Sequence, residues 1–155
     1  MKRVCASAGL GAVLAALTGT PVHAQGPQPF IEYRVTGTAT AAGRDPDVVL
    51  CSRSEEGLTI HTMGAWVFDF EVPSAAPGEH DATVRIAAPD SVAALHDRNL
   101  MTDDHLTGTA KLVVESAGRG QMNIPLLRIR FTAKGLTSET GATGDVAGTL
   151  VCALM

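Results

Sequence analysis

The stretch W-V-F-D-F-E-V, residues 66–72, decides how this chain folds. Trp66, Phe68, Phe70 and Val72 occupy every second position, with Asp69 and Glu71 between the later ones. Successive side chains of a β-strand point to opposite faces, so this stretch reads as a strand with one apolar and one charged face. It holds three of the six aromatic residues in the chain, which predicts that it lies at the centre of the core. Pro73 ends it, and residues 73–81 read as an exposed loop.

The same period of two extends in both directions. In residues 31–40, Ile31, Tyr33, Val35 and Ala39 fall on one face, and Glu32, Arg34, Thr36, Thr38 and Thr40 on the other. Residues 41–47, A-A-G-R-D-P-D, read as turn chemistry because Gly43 and Asp45-Pro46 punctuate them. Residues 47–53 form a short apolar strand carrying Cys51, and S-E-E-G (54–57) turns the chain back. L-T-I-H-T (58–62) buries Leu58 and Ile60 and leaves His61 outside. Residues 82–87, 106–115, 122–133 and 145–154 repeat the alternation, and Pro125 marks an edge or a bulge because it donates nothing to a ladder. P-D-S-V-A-A-L-H-D (89–97) is the one helical candidate, with Asp90 or Ser91 as its cap. Seven or eight short strands and one short helix predict an all-β, antiparallel β-sandwich of immunoglobulin-like architecture, with a small β-barrel as the alternative. Three segments, V-T-G-T-A (35–39), L-T-G-T-A (106–110) and V-A-G-T-L (146–150), share a glycine that predicts close packing by a neighbouring group.

The first residues carry a different signal. Lys2 and Arg3 precede an apolar run of about fourteen residues, shorter than the roughly 20 needed to span a bilayer. Gly19, Pro21 and then V-H-A (22–24) complete the pattern of a secretory signal peptide cut after Ala24. The expected mature domain is residues 25–155, secreted or periplasmic, with no further segment apolar enough to span a membrane. It keeps ten basic against sixteen acidic side chains, a net charge of −6. That balance argues against nucleic acid and anionic membrane as partners, because both select basic surfaces.

Loss of residues 1–24 removes Cys5 and leaves Cys51 and Cys152. In an oxidising compartment two cysteines admit one intramolecular pairing, so a Cys51–Cys152 disulfide is expected. No basic group lies near Cys152 to make it a thiolate nucleophile, and no C-x-x-C pair supports a thiol zinc site.

This plan, a Thr/Gly-rich exported β-domain with V-T-G-T (35–38), an early Cys51 and Cys152 in the last strand, resembles that of small mycobacterial lipoprotein antigens. The lipobox of that group is missing, since Gln25 follows the cut. The resemblance implies no activity.

No G-x-S-x-G or other nucleophile motif is present, and Asp69 and Glu71 read as a solvated strand face rather than a glycosidase pair. The metal candidates are His96, Met101 and His105 in one cluster and His61 with Met63 in another, donor types that suit copper or zinc. Arg34, Arg128 and Arg130 form a basic stripe facing outward, suited to an acidic partner or to pairing with Glu32 and Glu115. The function expected from these features is an exported, non-enzymatic binding or structural module with a protein or small-molecule partner. The alternative is a periplasmic copper- or zinc-binding protein.

Overall fold

A computed structural model describes residues 27–46, 49–87 and 105–155. Among them nine strands form: β1 (Phe30–Gly37), β2 (Ala41–Pro46), β3 (Val49–Ser54), β4 (Gly57–Thr62), β5 (Val67–Val72), β6 (Gly78–Ala87), β7 (His105–Arg119), β8 (Pro125–Thr137) and β9 (Thr143–Leu154). One 3-10 turn, Gln121–Asn123, joins β7 to β8. The helical candidate at 89–97 and the signal segment at 1–24 lie outside the described residues.

The sheet runs β2-β1-β9-β3-β4-β5-β6-β7-β8, and β8 pairs again with β9. Strands β3 to β9 therefore close into a seven-stranded barrel, and β1 and β2 extend it from the edge of β9. The sandwich expectation is corrected to its alternative, the small barrel. The cause lies in the last three strands, which run 15, 13 and 12 residues. Their register shifts at Thr107/Ala110, Ser116/Gly118 and Ala133/Leu136. Such bulges bend a sheet and raise its twist, so one long sheet curls onto itself instead of splitting into two.

A second correction concerns residues 41–47, which read as a turn. Residues 41–46 form strand β2, paired with β1 from Phe30↔Pro46 to Val35↔Ala41. The turn sits earlier because Gly37 adopts φ +126°, a conformation that strongly favours glycine. Pro46 is tolerated because β2 is an edge strand and the position is its last.

The barrel interior is filled by side chains. Phe68 has its ring centre 5.0 Å from Tyr33, 6.0 Å from Phe131 and 6.5 Å from Phe70. Phe70 and Phe131 lie 5.0 Å apart. Ile31, Val35, Ile60, Val84, Ala110 and Ile129 are buried around these rings. The predicted strand 66–72 does occupy the centre: Trp66, Phe68, Phe70 and Val72 are all buried. Thr62, the one buried polar side chain among the described residues, accepts the Phe68 N–H at 2.8 Å and donates to the Trp66 carbonyl at 3.4 Å, so it fastens the β4–β5 turn. The shared glycines meet their neighbours as expected. A Cβ at Gly148 would lie 2.3 Å from the Glu32 carbonyl oxygen and 2.5 Å from the Phe131 ring.

The barrel has one weak seam. β3 meets β9 in parallel through only Leu50↔Ala153 and Cys51↔Leu154. Two more backbone bonds extend it, from Met155 N–H to the Cys51 carbonyl at 3.0 Å and from Arg53 N–H to the Met155 carbonyl at 3.1 Å. Cys51 and Cys152 face each other across this seam at disulfide-bonding distance, fully buried, with Cα atoms 5.8 Å apart.

Candidate functional site

The interior is packed with side chains, and hollows among the described residues open on the outer faces. A hollow of about 770 Å³ lies over β2, β1, β9 and β8. Strand register builds it. One row across the sheet reads Arg44, Glu32, Thr149, Arg130, and the next reads Ala42, Arg34, Ala147, Thr132. Gly43 and Gly148 expose bare backbone beside these small residues, so the floor is shallow and smooth. A second hollow of about 130 Å³ adjoins it at Arg34, Thr132 and Ala147, and adds Thr36, Lys134 and Asp145.

The charges in this region are unequally satisfied. Arg130 donates to Glu115 at 2.8 Å. Arg44 lies 3.7 Å from Glu32 and stacks 4.1 Å from the centre of the Phe30 ring. Asp145 accepts the Gly135 N–H at 2.8 Å. No ion pair engages Arg34 among the described residues. The predicted basic stripe is thus partly present. Arg34 and Arg130 line the hollow, Arg128 does not, and Arg44 joins it. Arg44 is hidden in the sequence because residues 41–47 read as a turn; the alternation of A-A-G-R-D-P is the signal that marks it.

The opposite wall is acidic. A hollow of about 440 Å³ over the outer face of β4, β5 and β6 is lined by Glu56, Glu71 and Asp81, with no cationic side chain in its wall.

Of the two metal-candidate clusters, the structure describes His61 and Met63 of one and His105 of the other. His61, next to last in β4, lies opposite Asp69, and its Nδ1 contacts Asp69 Oδ1. Met63 follows as an exposed side chain. His105 begins β7, three strands from β4 and two residues along from the row of His61. His105 Nδ1 is buried with no hydrogen-bond partner among the described residues. His96 and Met101 lie outside the described residues. Asp69 is engaged by His61 rather than solvated beside Glu71; Glu71 sits opposite Thr59 and Thr83. No group of three or more His, Cys, Asp or Glu side chains is placed to hold a metal among the described residues. None of their helices is long and apolar enough to cross a membrane.

Tyr33, the single tyrosine, packs on Phe68 inside the barrel with its hydroxyl against Gly43. Burial raises its pKa above the usual phenol value, and the Asp45 carboxylate raises it further. The folded state then binds the phenolic proton more tightly than the unfolded state does. Stability is therefore expected to hold up to about pH 10, the ordinary phenol pKa, and to fall as pH rises through the folded value. Ultraviolet titration reads this one phenol directly. Asp45→Asn should lower its midpoint, and a midpoint at the free-tyrosine value in the folded protein contradicts the assignment.

Comparison with protein-family models, with curated proteins and with solved structures finds no match for this chain.

Proposed function

We propose that this chain is an exported, non-enzymatic binding or structural module of the bacterial cell envelope or extracellular space, built as a disulfide-fastened barrel. The observation that carries this reading is the position of Cys51 and Cys152 at the seam. Without a bond between them, β3 and β9 meet through two residue pairs. In a reducing cytosol that seam is left to those pairs and the two backbone bonds of Met155, whereas an exported protein keeps the disulfide. The signal-like residues 1–24 agree with this. The outer faces carry the recognition chemistry in this reading, since the interior is packed with side chains.

The test is made on protein recovered outside the cytoplasm. The mature N-terminus is expected at Gln25, and thiol titration of the denatured, unreduced chain should find no free thiol. An intact 1–24 segment with two reactive thiols sinks the reading.

A second reading is supported by the His61–Asp69 contact. A carboxylate on Nδ1 leaves Nε2 as the free ligand nitrogen, an arrangement common around metal-binding histidines. With Met63 nearby, copper is the ion that suits the pair, and zinc is the other candidate. Under this reading copper or zinc raises the melting temperature and His61→Ala abolishes the rise. No rise with either ion removes it.

A further inference from the structure

We infer that the hollow over β2, β1, β9 and β8 binds an acidic polysaccharide, with Arg34, Arg44 and Arg130 taking its carboxylates. This gives the ligand class for the binding half of the function proposed above and does not depend on export.

Charge comes first. The two adjoining hollows are lined by Arg34, Arg44, Arg130 and Lys134 against Glu32 and Asp145, and with Glu115 on Arg130 from beside the hollow the balance is still cationic. This is a cationic surface on a chain with an acidic excess. The acidic hollow lies across the barrel, over β4 to β6. At physiological ionic strength fields decay over about 8 Å, so a ligand here feels the local arginines and not the far wall. Arg34 matters most. It stands between Ala42 and Ala147, and its guanidinium has no charged partner among the described residues. A planar fork of this kind binds a carboxylate through two parallel hydrogen bonds.

Spacing and floor then select among polyanions. Arg44 is one strand and one same-face step from Arg34, a separation of about 8 Å between Cα positions. Arg130 is two strands and one step away, about 12 Å. Same-side residues of an extended peptide repeat at about 6.6 Å, so its charges fall out of step with this set. A peptide also gains affinity by adding a strand to a free edge. Here β1, β9 and β8 each carry a partner on both sides, so the one free backbone row is the outer edge of β2, at the rim of the hollow and not along its floor. The floor offers no side-chain pockets either: Ala42, Gly43, Ala147 and Gly148 leave a smooth trough. Thr132 and Thr149 add hydroxyls. A flat, hydroxylated ring polymer carrying carboxylates at intervals satisfies all of these conditions. The second hollow extends the trough beyond Arg34, as an elongated ligand requires.

The test uses the folded, oxidised protein in affinity electrophoresis or calorimetry at low salt. The probes are polygalacturonate, neutral dextran and poly-glutamate. Polygalacturonate is expected to bind and to weaken with added salt, while dextran should not bind. Arg34→Gln should weaken binding about tenfold or more, with unchanged melting temperature because the side chain has no charged partner to lose. Ala147→Trp fills the trough without altering charge and should abolish binding. Arg53→Gln, outside the hollow, should bind as the parent does. Absence of polygalacturonate binding at low salt overturns the inference, as does equal binding by Arg34→Gln. Poly-glutamate bound as tightly as polygalacturonate overturns the polysaccharide assignment. Each of these failures leaves the N-terminus and thiol results of the proposed function untouched, so the two can fail separately.

Discussion

Reduction of the Cys51–Cys152 bridge is expected to destabilise the folded barrel by about 4–5 kcal/mol. The magnitude follows from the sequence separation of 101, because a cross-link that closes a loop of this size removes much of the conformational freedom of the unfolded chain. Domains of this size are stable by about 5–15 kcal/mol, so the bridge supplies from about a third to nearly all of the stability. The loss has a location as well as a size. The seam between β3 and β9 contains two residue pairs, and the bond is the strongest connection across it. Amide exchange in the reduced protein should therefore quicken first at residues 49–54 and 153–155, before the β6–β7–β8 ladder. A Cys51→Ala/Cys152→Ala variant should behave like the reduced protein, and alanine avoids burying a hydroxyl where both sulfurs are fully enclosed. Urea melts with and without reductant provide the measurement. An unchanged midpoint would show that the barrel closes without the bond.

The bridge is legible in the sequence alone because elimination requires no geometry. Once residues 1–24 are read as a leader, two cysteines remain. The strand faces are legible for a similar reason: alternation in 31–35, 58–62 and 66–72 states directly which side chains go inside. What alternation cannot state is where that inside is. A sandwich and a small barrel both bury one face of every strand, so Phe68 and Ile129 read identically in either. Register shifts in β7, β8 and β9 make the choice, and local backbone fits at such residues as Gly118 and Gly135 set them. The candidate site is half legible for the same physical reason. Arg34 and Arg130 announce themselves as outward residues. That they share one hollow with Arg44 depends on β9 lying between β1 and β8, a long-range pairing with no local sequence mark.

Truncation of Phe68 to alanine is expected to cost about 3–5 kcal/mol, the range for removing a buried aromatic side chain and leaving its space unfilled. Phe68 lies at the upper part of that range because its neighbours come from three separate strands. Tyr33 is on β1, Phe70 on β5 itself and Phe131 on β8, and a cavity among them cannot be closed by shifting one element. Phe68→Leu keeps most of the volume and should cost well under half as much. Because Tyr33 and Phe68 touch, Tyr33→Ala and Phe68→Ala should be non-additive, whereas Phe68→Ala and an exposed change such as Arg34→Gln should add. The two large effects also differ in the state on which they act. Bridge removal expands the unfolded chain, so its denaturant slope should rise. Phe68→Ala leaves the unfolded chain nearly as it was, so its midpoint should fall at constant slope. Together they approach or exceed the whole stability of a domain this size, and the reduced Phe68→Ala protein is expected to lack cooperative unfolding altogether. A reduced variant that still melts cooperatively would mean that the four-ring cluster does not carry the core as its position indicates.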